Sequence, residues 1–233
     1  MIRASLLLSL AVFMSAGTGF SLSEQEPVQI DHLILGINDL ERGVAEFEAK
    51  TGVRPVFGGA HPGRGTHNAL ASLGGGTYIE ILAPNPAEAG ADAMTTGLAG
   101  MTALTPIGWA LSATDLADVK KRAEAGGVTT TQVMPGARNL PDGSRLAWMT
   151  IGVTAPSHDW APFFIQWRDP ALQPARTSPA GCTLESVALA DPRPDALRTL
   201  FGAVGFEMTV AQAGQARMTI TLQCPKGRVE FVR

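Results

Sequence analysis

The chain is short of the residues that would define several protein classes. Two cysteines, Cys182 and Cys224, in 233 residues are too few for a disulfide scaffold or a cysteine-built zinc site. Charge of either sign is sparse: 18 Lys and Arg stand against 21 Asp and Glu, a net charge of -3. Such a chain has no basic surface to neutralise a phosphate backbone, which excludes nucleic acid as the main partner. Aromatic residues make up 6%, with a single tyrosine. Several catalytic signatures are missing as well. There is no G-x-S-x-G elbow, no H-E-x-x-H, no G-x-G-x-x-G behind a strand, and no cysteine in a catalytic context.

What the chain does have is apolar mass and turns. It is 45% hydrophobic, with 26 Gly and 16 Pro, which suits many short strands joined by tight turns. Its length corresponds to about 1.5 average domains. At the N-terminus, Arg3 precedes an uncharged apolar run, Ala4 to Ala16. The run is short for a bilayer span, and small and then polar residues follow it. Residues 1–22 are read as an export signal, with an uncleaved anchor or a buried helix as the competing readings. No other segment has the apolar length of a membrane-spanning helix. The mature protein is expected to be exported, periplasmic or secreted, and not membrane-bound. Residues 84–105 and 168–181 read as linkers, the second of them Pro-rich.

Between the linkers the chain repeats itself. In residues 28–83, Gln29 to Ile37 is an aliphatic strand and Asn38 opens a helix with Glu41 as its capping-box partner. Leu40, Val44 and Phe47 recur at helical spacing before Gly52. Strands are then expected at Val53–Phe57, Asn68–Leu73 and Thr77–Ala83, the last two joined across three glycines. Residues 106–167 repeat this order, with strands at Ile107–Ala113, Val128–Val133, Leu146–Val153 and Pro162–Trp167 and a helix opened by Thr114 and Asp115. Residues 182–233 form a looser third copy. The fold class is α+β, built from duplicated βαβββ units.

A tandem βαβββ pair opening with IDHLILGINDLERGVAEFEAKTG resembles the vicinal-oxygen-chelate superfamily of glyoxalases, bleomycin-resistance proteins and extradiol dioxygenases. HPGRGTHN (His61 to Asn68), GGGTYIE (Gly74 to Glu80) and PFFIQW (Pro162 to Trp167) are similar, in order, to motifs of its glyoxalase-like branch. The resemblance covers about residues 28 to 167 well and the third unit more loosely. It implies two modules curling into one open barrel around a shared pocket. It implies no particular reaction, because the superfamily hosts lyases, isomerases, dioxygenases and drug-binding proteins.

Period-two alternation places His32 with Ile30 and Ile34, and Glu80 with Tyr78 and Leu82. The resemblance turns these faces toward the barrel interior and makes His32 and Glu80 metal-ligand positions, suited to Zn, Ni, Fe or Mn. Aligning the second module puts Gly108 at the place of His32 and Gln166 at the place of Glu80. The expected site is therefore His32, Glu80 and Gln166, with one ligand position vacant. Either one divalent ion binds there, or His32 and Glu80 bond each other or an organic ligand. Arg64, His67 and Asn68 of the HPGRGTHN loop are candidate ligand-binding residues, Asn68 foremost, with a strand connection carrying solvated polar side chains as the alternative. Trp148 is expected to line the pocket or pack in the core. Trp109 is expected in the core, and His158 receives no role.

Two functions from different classes follow. One is an enzyme doing lyase or isomerase chemistry beside a carbonyl, with Glu80 as base and His32 and Gln166 polarising the oxygen. The other is a non-catalytic protein that binds a small apolar molecule. Either partner is a small molecule, and the protein is expected to be a monomer or homodimer. Cys182 and Cys224 fall at the same edge of the third sheet. If its first strand lies beside its fourth, one strand separates them by about 9–10 Å, beyond disulfide reach. A bridge and two buried thiols both remain open.

Overall fold

The structure is a computed structural model and describes residues 28–88, 93–140, 143–155 and 159–233. The expected export signal and His158 lie outside the described residues. The first unit runs Gln29–Gly36 (β1), Leu40–Thr51 (α1), Val56–His61 (β2), Thr66–Gly74 (β3) and Thr77–Pro84 (β4). Ala93–Ala99 (α2) then leads to the second unit: Thr105–Ser112 (β5), Leu116–Ala125 (α3), Thr129–Thr130 (β6), Met134–Asn139 (β7), Arg145–Ile151 (β8), Val153–Ala155 (β9) and Phe163–Trp167 (β10). A 3-10 turn at Pro170–Leu172 and the short Pro174–Thr177 (α4) connect to the third: Thr183–Asp191 (β11), Asp195–Val204 (α5), Val210–Gln212 (β12), Arg217–Cys224 (β13) and Gly227–Val232 (β14).

The first two units share one eight-stranded sheet in the order β2-β3-β4-β1-β5-β10-β8-β7. β1 runs parallel to β4 and antiparallel to β5, so the two halves meet back to back at the centre of the sheet. The sheet curls until its edges, β2 and β7, face each other, and Arg138 on β7 donates to the Gly58 carbonyl on β2 across the seam. A nearly closed barrel with a partly enclosed, mostly apolar interior results. The helices cover the other face. Leu33, Leu35, Ile79, Ile81, Trp109 and Leu111 point to that side and are at most 1% exposed, each contributing about 1.5–3 kcal/mol by burial.

Local chemistry explains the ends of α1 and the start of α3. Asp39, rather than the expected Asn38, caps α1, and its side chain accepts from the Arg42 N–H. Gly52 then adopts φ 81°, where a side chain would be strained, and ends the helix. Asp115 caps α3 in the same way. The second unit departs from the expected pattern in one place. Val128–Val133 is not its second barrel strand: Thr129–Thr130 pairs with β9 in a separate ribbon, and β7 takes the barrel edge.

The third unit keeps the βαβββ element order but not the pairing. Its sheet runs β12-β11-β13-β14, with β11 beside the third strand instead of the fourth. This removes the intervening strand that had kept the cysteines apart. Thr183 lies opposite Gln223, and Cys182 and Cys224, flanking that pair, are bridged with Cα atoms 4.1 Å apart. The unit packs on the helical side of the barrel: Phe201 and Phe206 meet Trp109, and Phe231 stacks on Phe47. No helix among the described residues is long and apolar enough to cross a membrane.

Candidate active site

The site begins with an irregularity in β1. On a regular strand Asp31 and His32 would point to opposite faces. The β1–β5 ladder instead shifts register between Ile30 and His32, leaving Asp31 as the extra residue of a bulge. Its fully buried carboxylate reaches His32 Nδ1 at 2.7 Å and also accepts from Trp167 Nε1 at 2.8 Å and Gln173 Nε2 at 2.7 Å. Asp31 is therefore the hub joining β1, β10 and the second linker. With the His32 proton fixed on Nδ1, Nε2 faces Glu80 Oε2 at 3.5 Å. Both partners accept hydrogen bonds there.

Glu80, on β4, is 8% exposed. Its Oε1 accepts from Asn68 Nδ2 at 2.6 Å. The same amide nitrogen contacts His61 Nε2 at 3.2 Å, and His61 Nδ1 contacts Thr66 Oγ1 at 3.0 Å. Burial lowers the pKa of His61 from its ordinary 6.5; Glu80 opposes this, while Arg138, Arg64 and His32 add to it. Tyr78 stacks on the His32 ring at 4.7 Å. Its hydroxyl is pushed well above the usual tyrosine range by burial first and then by Asp31 and Glu80, so it stays a neutral phenol. Phe163 closes on the other side of His32 at 5.4 Å.

These groups open on a cavity of about 450 Å³ between the first two units. Of the residues expected from sequence, His32, Glu80, Asn68 and Trp148 line it, and Arg64 stands exposed at its mouth. His67 does not: it alternates with Asn68 on β3 and packs against Phe57 on the outside. Gln166 also lies elsewhere. Its amide donates to the Thr114 carbonyl and accepts from the Leu116 N–H at the start of α3.

The ladders explain the misplacement of Gln166. His32 pairs with Ala110 and Ile34 with Gly108, so Gly108 is the counterpart of His32 and Ala110 that of Ile34. Ile34 pairs with Glu80, and Ala110 with Phe163. Phe163, not Gln166, thus stands where Glu80 stands in the first half. The alignment is off by three residues, and any odd shift reverses the face. Sequence reasoning also missed Asp31, His61 and Arg138. His61 had a usable signal, since it pairs with Thr66 and shares a face with Asn68.

A divalent ion of the kind the fold family uses does not fit this donor set. Among the described residues no three His, Cys, Asp or Glu side chains are arranged to hold one. His32 Nδ1 is taken by Asp31, and Asn68 presents N–H donors rather than its oxygen. The second half supplies Gly108 and Phe163 at the remaining positions, and the buried Arg138 cation faces the same space.

Fold and site together define a paired-module barrel of the vicinal-oxygen-chelate type, with its polar groups concentrated in one half. The chain belongs to the glyoxalase-like domain family, whose profile matches residues 30–205. A hypothetical protein from Staphylococcus aureus has a similar structure, at 18% identity and a TM-score of 0.62, over 88% of this chain and 85% of that one. Also similar are a variant of Streptomyces coelicolor methylmalonyl-CoA epimerase in complex with 2-nitronate-propionyl-CoA and a mutant of 4-hydroxymandelate synthase from the same organism. The epimerase shows 16% identity and a TM-score of 0.46, over 62% of this chain and 100% of that one. The synthase shows 15% and 0.46, over 89% and 63%. No curated protein sequence matches the chain.

Proposed function

We propose that the protein moves a proton at a carbon beside a carbonyl of a small molecule bound in the barrel, an isomerase or lyase step. The observation that supports this reading is the buried chain Asp31–His32–Glu80, which ends on the cavity. Glu80 takes the proton from carbon. His32, its Nδ1–H held by Asp31, shares that proton through Nε2 and returns it to carbon or oxygen. The Asn68 amide holds Glu80 in place. Neutral Tyr78 and Phe163 exclude water from the imidazole, which strengthens its electrostatics with Glu80.

The test is deuterium uptake from heavy water at carbons next to the carbonyl of small oxo acids and aldehydes, followed by proton NMR. Wild-type protein should speed the exchange, and Glu80→Gln and His32→Asn should each lose most of the acceleration. Wild-type exchange no faster than with Glu80→Gln would sink the reading.

A second reading, a non-catalytic small-molecule binder, draws on the second half, whose cavity wall carries Phe163, Ile165, Trp167 and Trp148. Tight ligand binding without exchange favours it. We also propose that the protein is exported. The apolar N-terminal run and the Cys182–Cys224 bridge support that compartment.

A further inference from the structure

Arg138 is the group that the proposed chemistry leaves unused. It sits on β7 at the seam of the barrel, is 7% exposed, and lines the cavity. A guanidinium carries five N–H donors. Among the described residues Arg138 spends one nitrogen on the Gly58 carbonyl and has no carboxylate within ion-pair distance. Among the described residues Arg54, Arg122, Arg198 and Arg228, by contrast, each pair with a carboxylate at the protein surface or on a helix flank. Burial pulls the Arg138 guanidinium below its ordinary pKa, while Tyr78 and Glu80 oppose that shift. A buried cation is retained where something anionic comes to meet it.

We propose that Arg138 is the binding residue for a ligand carboxylate, and that the protein acts on amphipathic monocarboxylates. The walls around Arg138 set the rest of the ligand. Gly136 stands two residues from Arg138 on β7, on the same face, and Trp148 of β8 lies directly over it. Trp167, Ile165 and Leu70 extend an apolar lining suited to an aryl or alkyl body. The planar fork of the guanidinium matches a carboxylate in two parallel hydrogen bonds. A single seam arginine with aromatic neighbours fits this better than a phosphate, which calls for several donors around it. The proposal deepens the proton-transfer reading by naming its substrate class, but binding to Arg138 requires no catalysis.

Two isosteric probes separate charge from shape: phenylacetate and phenylacetamide, titrated against intrinsic tryptophan fluorescence at fixed ionic strength. Wild-type protein should bind phenylacetate at least tenfold more tightly than the amide. Arg138→Gln should bring that ratio close to one, Arg138→Lys should keep part of it, and Arg198→Gln on α5, away from the cavity, should leave it unchanged. If Arg138→Gln does not fold, the lysine variant decides, because it keeps the charge and loses the fork. Equal or absent binding of both probes by the wild type overturns the proposal. So does a ratio that survives Arg138→Gln, or one unchanged by Arg138→Lys when the glutamine variant does not fold. Failure of deuterium exchange with the ratio intact refutes the catalytic reading and leaves this one standing.

Discussion

Replacing Asp31 by asparagine changes no volume, yet it should be among the most damaging single substitutions in the barrel. The carboxylate is fully buried and accepts from three donors, His32 Nδ1, Trp167 Nε1 and Gln173 Nε2, all within 2.8 Å. An asparagine has one oxygen, and its NH2 must face at least one of those donors. One buried donor left unsatisfied costs about 1–3 kcal/mol, and the surviving bonds lose their charge assistance. Asp31→Asn should therefore destabilise by about 2–4 kcal/mol. Asp31→Ala strands all three donors but admits water, and should cost about 3–5 kcal/mol, less than three independent penalties. Against a typical total of about 5–15 kcal/mol, this is a large fraction.

Urea unfolding followed by tryptophan fluorescence measures the cost as a shift in midpoint at constant slope. Nitrogen-15 NMR of the His32 ring supplies a second readout, since the proton should sit on Nδ1 in the wild type and lose that preference in Asp31→Asn. A cost below about 0.5 kcal/mol, or a wild-type proton on Nε2, refutes the hub role. The first outcome would mean that the three donors find other partners.

Other expectations follow from single distances and groups. Gly136→Ala places a Cβ 2.2 Å from Trp148 Nε1; the indole must leave the cavity wall, costing about 1–3 kcal/mol and shifting the tryptophan emission. His61 and His67 both have lowered pKa values, so on acidification the unfolded chain binds protons first, and stability falls as pH drops below about 6.5. Unfolding titrations at pH 7 and 5 should show a smaller acid loss for His61→Gln than for the wild type; an equal loss would contradict the assignment. The Cys182–Cys224 bridge spans 42 residues and should contribute about 4 kcal/mol in the chain-entropy model. Unreduced, unfolded protein should show no free thiol, and reduction should lower the melting temperature.

The sequence carried the first half of the site well because that half obeys simple rules. His32 and Glu80 sit on regular alternation, on strands rich in β-branched and aliphatic residues, and the structure puts both on the cavity. Alternation also held the key to the loop: Asn68 and His67 are neighbours on one strand and cannot both face inward. His61, opposite Thr66, was the consistent companion of Asn68. Asp31 escaped because a bulge suspends alternation, and nothing local in QIDHLILG announces one. Arg138 escaped for a different reason. Val128 to Val133 has the β-branched residues of a strand, while MPGARN carries Pro and Gly. Propensity selects the first, but the barrel uses the second at its edge, where a missing N–H and a side-chain gap are tolerated. Gln166 was misplaced by matching letters between two short strands, a comparison blind to a three-residue slip.

The two halves, equivalent by ladder, have divided the work by chemistry. Every acid–base group of the proposed reaction comes from β1 to β4, and the counterparts Gly108 and Phe163 carry none. A symmetric site would set like carboxylates face to face and need a cation between them to be stable. Here Phe163 fills that place and presses its edge on the His32 ring, so the imidazole is held by contact and by Asp31. Among the described residues, the one buried charge of the second half, Arg138, has the opposite sign to Glu80 and sits at the seam that joins the two edges of the sheet. A ligand lying between them meets an acceptor of protons at one wall and a donor fork at the other. For the proposed carboxylate ligand, that polarity sets which way round it binds.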